Sequence, residues 1–163
     1  MYLLLMNRMK EAGYKQYEIS NFAKPGFESK HNMTYWLNED YYGLGAGAHG
    51  YVGRQRHMNI KGVNPYVEAV KSGLPRLDSY DISPEEAMED FLMVGLRVLD
   101  GISRSRFEEQ FNTSLDIVFA RPLHKMVNAG LLDATDDGYK LSEQGILFGN
   151  EVFAEFIGSL SGN

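Results

Sequence analysis

Not one of the 163 residues is a cysteine, and that absence limits both what can hold a fold together and what chemistry it can host. No disulfide can staple the chain and no thiolate can act as a nucleophile. Neither a cysteine-ligated zinc nor a conventional iron–sulfur cluster can form on its own side chains. A metal bound here must be taken by His, Asp, Glu, Tyr or Met. The composition, 44% hydrophobic and 23% charged, is that of a globular protein, long enough for one domain or two small ones. No apolar run approaches the roughly 20 residues that span a bilayer. The short apolar start, residues 1–6, leads straight into Asn7-Arg8-Met9-Lys10-Glu11, so it reads as the opening of an amphipathic helix and not as a signal peptide. A cytoplasmic address is expected.

Charge divides the chain. Residues 1–75 hold 9 Lys/Arg against 6 Asp/Glu, and residues 76–163 hold 7 against 16. The change coincides with Gly73-Leu74-Pro75, a pairing of breakers that marks a boundary. The expected organisation is therefore one segment over 1–75 and another over 76–163. The acidic second segment disfavours phosphate contacts.

The first segment reads helix, strand, loop, strand, helix. Leu4, Leu5, Met9 and Ala12 recur at helical spacing and Gly13 closes that helix. Residues 15–19 form a short strand, Pro25-Gly26 a turn, and Tyr35 to Tyr42 an irregular aromatic stretch. Residues 48–60 form a hairpin turning at Gly53-Arg54-Gln55. A helix of about eight residues follows, with Asn64 as N-cap and Pro65 at its first position. A helix–strand opening with no earlier strand has the order of the end of a βα-repeat fold.

The second segment is mostly helical. Ser83-Pro84-Glu85-Glu86 is a helix start, with a capping hydroxyl, proline in the first turn and acids at the positive end. Met88, Phe91, Leu92, Leu96 and Leu99 form its apolar stripe as far as Asp100-Gly101. A second helix covers 103–111 with Phe107 and Phe111 inward. A third covers 114–129, where Pro122 should kink it or delay its start. A hairpin turning at 135–138 and a last helix over 142–160 complete a winged-helix-like order.

Gly45-Ala46-Gly47-Ala48-His49-Gly50 fits G-x-G-x-x-G, but a dinucleotide fingerprint needs a helix opening after it, and the following residues favour a strand. Close glycines still let a backbone approach a ligand or another segment. His31 and His49 are the histidines with ligand potential, whereas His57 and His124 read as structural. Tyr35, Trp36, Tyr41, Tyr42 and Tyr51 are read first as packing, with stacking on a planar ligand as the alternative. A nucleic-acid role would need a basic recognition helix. The third helix offers only Arg121, His124 and Lys125, so no nucleic acid is expected as a partner.

Several segments together resemble one family. They are Tyr17-Glu18-Ile19-Ser20-Asn21-Phe22-Ala23-Lys24-Pro25-Gly26, His31-Asn32-x-x-Tyr35-Trp36, Tyr42 to Gly50, Gly130-Leu131-Leu132 and Leu141-Ser142-x-x-Gly145. In order and spacing they resemble the HemW family, part of the radical-SAM group often named oxygen-independent coproporphyrinogen III oxidase-like. The resemblance implies an α+β fold: the end of an incomplete TIM-type radical-SAM barrel over 1–75, then a helical, winged-helix-like C-terminal domain over 76–163. It implies the C-terminal part of a haem chaperone, with haem or another porphyrin as cargo. The family's [4Fe–4S] cluster and S-adenosylmethionine belong to the full-length protein. The C-x-x-x-C-x-x-C motif is absent here, so this chain alone should not catalyse radical chemistry.

By motif position, the resemblance makes His31, Asn32 and Tyr35 haem-binding, with His31 the iron ligand. It places Met33, Thr34, Gly45, Gly47 and Ala48 near a cofactor. The missing half of the barrel is an expected partner, and sheet edges left open without it should drive self-association through residues 1–60. The alternatives are a coproporphyrinogen III dehydrogenase, against which His31-Asn32-x-x-Tyr35 speaks, and a winged-helix binding module.

Overall fold

The computed structural model describes residues 1–160; the end of the second expected segment, 161–163, lies outside the described residues. Two compact units form. One takes Met1–Asn38 and the chain from Met88 onward, the other Glu39–Ala87. The break at Gly73–Pro75 thus falls inside the second unit. All strand pairs are antiparallel, and the architecture is mixed α and β.

In the first unit, α1 (Tyr2–Glu11) leads into a hairpin of β1 (Lys15–Glu18) and β2 (Asn21–Ala23). The Tyr2 hydroxyl donates to the Ile19 carbonyl at 2.8 Å and accepts from Gln16 Nε2 at 2.6 Å, tying helix to strand. The periodicity expected for α1 is present, yet none of its residues is buried. Leu3, Leu4 and Leu5 are 58%, 62% and 47% exposed, which leaves an apolar face uncovered. A helix α2 (Lys30–Trp36) follows, where an irregular stretch was expected from Tyr35. Its seven residues carry no apolar periodicity; the start is set instead by Ser29, whose Oγ accepts from the Asn32 amide.

The larger part of this unit packs α4 (Pro84–Gly95, which begins in the second unit), α5 (Arg104–Phe111), α6 (Leu115–Val118), α7 (Ala120–Asn128), α8 (Glu143–Leu147) and α9 (Gly149–Phe156) around one core. A three-stranded sheet joins them, in the order β6 (Ile102–Ser103), β8 (Gly138–Leu141), β7 (Leu132–Thr135). Ser83 caps α4 as expected, its Oγ accepting from the Glu86 amide. The helix ends at Gly95, not at Asp100. Residues 97–99 are drawn off to pair with β1, where the Ile19 amide donates to the Arg97 carbonyl and the Leu99 amide to the Tyr17 carbonyl. The third expected helix is two. Pro122 lies in the first turn of α7, where its missing N–H costs nothing, and the break falls at Phe119 (φ −110°). The last helix is likewise broken, at Phe148 (φ −112°).

Fully buried phenylalanines hold the core. Phe107 meets Phe91, Phe111 and Phe119 at centroid distances of 5.3, 4.7 and 6.0 Å, and Phe119 meets Phe156 at 5.9 Å. On the sheet side, Asp116 receives Arg104 Nε at 2.7 Å and the Tyr139 hydroxyl at 2.5 Å. Asp137 receives the hydroxyls of Ser103 and Ser105. These bonds hold both carboxyls below the ordinary aspartate range, in Asp116 against an opposing push from burial.

The second unit contains β3 (His49–Val52), β4 (Gln55–Asn59), α3 (Val63–Val70) and β5 (Arg76–Asp81), with sheet order β3-β4-β5. The hairpin forms where expected. Its two-residue turn puts Gly53 at φ 58° and Arg54 at φ 65°, the left-handed pair that suits a right-twisted ribbon. Helix α3 starts earlier than expected, with Gly62 as N-cap and no side-chain cap, so Pro65 occupies the third helical position and not the first. Strand β5 was not expected. It is exposed along its whole length, so it shows no hydrophobic alternation; its pairing with β4 rests on the backbone and on Gln55, which donates to Asp81 and accepts from Arg76 at 3.1 Å each.

Replacing Phe107 by Ala should destabilise the first unit by about 3–5 kcal/mol, read as a lower urea midpoint; a loss under about 1 kcal/mol would contradict the packing described. The Asp116 and Asp137 carboxylates, depressed below the ordinary 3.8, stabilise the fold fully above that value, and the contribution is lost as pH falls through the folded pKa. Asp116→Asn should therefore be less stable than wild type at pH 7, with the gap closing towards pH 2.5 in urea titrations; a gap constant with pH contradicts the assignment.

Candidate functional site

The helix α2 decides what the His-Asn-x-x-Tyr segment can do. Residues four apart lie on one helical face, and His31 and Tyr35 meet there. Their ring centroids are 4.9 Å apart at 78°, and the Tyr35 hydroxyl lies 2.9 Å from His31 Nε2. His31 is exposed, and among the described residues its Nδ1 has no hydrogen-bond partner. The site histidine thus sits in a capped helix and not in a loop, and the spacing of the motif becomes a contact. Thr34 is committed within the helix, its hydroxyl donating to the Lys30 carbonyl at 3.1 Å. The Asn32 amide is spent on the Ser29 cap, while the Asn32 and Met33 side chains are half-buried.

The end of α2 is held from the core of the same unit. Arg106 donates to the Leu37 carbonyl, and Asn38 turns the chain with φ 53°. Trp36, the last residue of the helix, carries the Arg97 guanidinium 4.6 Å above its ring. Sequence reading did not find Arg97; a lone basic residue after an apolar helix carries no motif. Glu18 was seen only as part of a resemblance. It is fully buried, with one oxygen accepting from Asn21 Nδ2 and the other without a partner.

Gly45, Gly47 and Ala48 belong to the second unit, and their backbone groups are used inside it. The Gly45 amide donates to the Tyr66 hydroxyl at 3.2 Å, Gly47 to the Ile60 carbonyl at 2.9 Å, and Ala48 to the Gly45 carbonyl at 3.3 Å. The buried Asn59 donates to the carbonyls of Gly43 and Gly45 at 2.9 and 3.0 Å. A Cβ on Gly50 would lie 2.1 Å from the His57 ring, and one on Gly43 would lie 2.4 Å from the His49 carbonyl oxygen. Close packing therefore requires Gly43 and Gly50, whereas Gly45 and Gly47 are favoured by their positive φ of 103° and 71°. As expected, a strand follows the glycine run and not a helix. Of the aromatic cluster, Tyr41 and Tyr51 pair through a β-bridge with rings 6.5 Å apart, and Tyr42 is exposed.

Imidazole and phenol are both donors that haem iron accepts, so the His31–Tyr35 pair suits a haem group. A [4Fe–4S] cluster does not fit this chain, because it offers no thiolate. Among the described residues, no three His, Asp or Glu side chains converge on a metal position. No helix among them is long and apolar enough to cross a membrane.

The comparisons with known proteins agree in direction. The HemN C-terminal domain matches residues 82–148. The haem chaperone HemW of Bacillus subtilis is 45% identical over 161 residues, which is 98% of this chain and 42% of that protein. HemW of Lactococcus lactis is 36% identical over 157 residues, 96% of this chain and 41% of that one. The chain belongs to the HemN/HemW family. It spans about two-fifths of the length of these curated relatives. Among solved structures, the fold matches coproporphyrinogen III oxidase (HemN) from Escherichia coli, described as a radical SAM enzyme. The TM-score is 0.73 at 18% identity, over 94% of this chain and 39% of that one, which establishes a shared fold.

His57 tests the packing of the second unit of this family member. Burial, then the nearby Arg76 and His49, lower its pKa from 6.5. A neutral buried histidine stabilises the fold above 6.5, and that stability is lost as pH falls towards the folded value, because the unfolded chain takes up the proton first. An NMR titration of the His57 ring should show a midpoint below 6.5; a midpoint at or above 6.5 contradicts this packing.

Proposed function

We propose that this chain is the haem-handling part of a HemW-type chaperone, with the His31–Tyr35 face of α2 as its contact with the iron. The observation that carries the reading is the 2.9 Å pairing of an exposed imidazole with a phenol on one capped helix. The high identity to proteins named haem chaperones supports it. Haem is cargo in this reading. Tyr35 orients the imidazole by engaging Nε2 and leaves Nδ1 free to meet iron, a partner role that governs ligand direction and basicity. Asn32 flanks the pair on the neighbouring face. Met33, Thr34, Gly45, Gly47 and Ala48 are proposed as neighbours of S-adenosylmethionine in a protein of the relatives' length. Since the polar groups of Thr34 and the three loop residues are already paired, their role there would be close van der Waals approach.

The finer fold reading belongs here too. Residues 1–75 are taken as the closing part of a TIM-type barrel, which accords with the uncovered apolar face of α1 and the α1–β1 order. From residue 76 onward, helices α5 and α7 with the β6-β8-β7 sheet have the elements of a winged helix. A nucleic-acid role gains no support, since Lys125 of α7 is paired with Glu155 at 2.5 Å. The open face of α1 and the exposed edges are proposed to drive self-association when nothing covers them.

Titrating haemin into the protein should give a shifted Soret band. His31→Ala should abolish that shift, and Tyr35→Phe should weaken haemin binding by about tenfold. Identical Soret spectra for wild type and His31→Ala would overturn the ligand assignment.

A further inference from the structure

A cleft of about 420 Å³ opens in the first unit, between Ile19 at the end of β1, Arg97 after α4, and the α8–α9 junction. Its walls are apolar: Ile19, Ile146 and Phe153 line it, and Leu147 and Phe148 stand exposed at its rim. Tyr2 also lines it, but its hydroxyl is already bonded to Ile19 and Gln16. Arg97 is the one basic residue among the lining side chains.

That arginine is held and unsatisfied at once. Its guanidinium lies over the Trp36 ring at 4.6 Å and near the Phe153 ring at 5.4 Å. Stacking of this kind fixes the plane of the fork. Its Nε is shut off from solvent without a hydrogen-bond partner, and no carboxylate among the described residues pairs with it. A buried charged donor without an acceptor is rare in native folds. The same cleft receives the start of α9 at Gly149 and Asn150, and Phe148 at the N-cap position provides no side-chain acceptor. The free amides of a helix start add positive potential beside the guanidinium. A Cβ on Gly149 would press on Ile19 and Phe153 at 3.2 Å, so glycine lets the helix start sit close to the floor. Glu151 stands at the exposed mouth and opposes an anion there.

We infer that this cleft takes a carboxylate carried on an apolar body, with Arg97 engaging the carboxylate through its fork. Taken together with the haem-handling reading, on which this identification of the ligand rests, the carboxylate is a propionate of the tetrapyrrole. The volume accommodates a propionate arm and the ring edge next to it, with the rest of the macrocycle lying against Leu147 and Phe148. Arg97 is thus a second recognition point, independent of the iron.

A metal-free porphyrin tests this without His31. Trp36 is the chain's single tryptophan and touches Arg97, so its fluorescence reports occupancy. Mesoporphyrin dicarboxylic acid should quench it saturably. Arg97→Gln should weaken binding by about tenfold or more, Glu151→Gln should tighten it, and His31→Ala should leave it unchanged. The dimethyl ester should bind weakly and show no dependence on Arg97. Circular dichroism checks that Arg97→Gln is folded; if it is not, the exposed Glu151→Gln variant decides by the sign of its effect. Equal binding of acid and ester, or no tightening in Glu151→Gln, overturns the proposal. A parallel NMR titration uses 3-phenylpropionate, which carries the same arm on one ring. Shifts at Phe153 and Gly149 that vanish in Arg97→Gln, without porphyrin binding, would keep the carboxylate site and sink the tetrapyrrole reading. Haemin binding through His31 with no Arg97 dependence for either probe would do the reverse.

Discussion

The first unit depends on a short antiparallel contact that breaks a helix. Residues 97–99 leave the end of α4 to exchange backbone hydrogen bonds with Tyr17 and Ile19. Those bonds join the amino-terminal hairpin to the phenylalanine core across some eighty positions of sequence. Neither partner is a strong element alone: β1 has four residues and β2 three, and a hairpin of that size is marginal in water. The contact also sets side-chain positions. It brings Arg97 onto the Trp36 ring and leaves the fully buried Glu18 opposite Val98. The features that give this unit its chemistry follow from one turn of helix traded for two strand bonds.

The same economy governs α2. Seven residues make an unstable helix in isolation, so its persistence rests on its ends. Ser29 satisfies the first turn, and Arg106, from the core of the same unit, satisfies the Leu37 carbonyl after the last. Held at both termini, the helix can leave His31 exposed without losing its register to Tyr35. In the proposed carrier role, an exposed imidazole on a fixed helix would be reachable by an incoming group and by the acceptor that takes it away. A deeply buried ligand would bind more firmly and release less readily.

Legibility in the sequence followed the kind of force involved. Caps and turns were readable because they are local. Ser83 and the Gly53-Arg54 turn stand where expected, though the cap expected at Asn64 lies instead at Gly62, and the buried Phe107 follows from periodicity alone. Elements that depend on distant partners were not readable. Strand β5 has no buried face to betray it, β6 is two residues long, and α4 is cut short by a strand more than seventy residues upstream. The His-Asn-x-x-Tyr motif was visible as a pattern, but its reading as a loop missed the geometry that gives the spacing its meaning. Arg97 was invisible because its significance lies wholly in what surrounds it.

The absence of cysteine and the presence of the His31–Tyr35 pair fit together chemically. Thiolates would bind a cluster or soft metals firmly and would commit the chain to redox chemistry. Imidazole and phenol donors of the kind present here are ones that haem iron accepts without a thiolate, and coordination by a single imidazole would leave exchange possible. No iron–sulfur cluster can be ligated by thiolates of this chain, which has none. Its own side chains offer a haem iron nitrogen, oxygen and thioether donors, but no thiolate. On the proposed reading, the cleft beside Arg97 would take a propionate. If that proposed site holds the periphery of the macrocycle by charge, hold on the cargo would not rest on the metal bond alone, and the metal bond could stay weak enough to pass the cargo on.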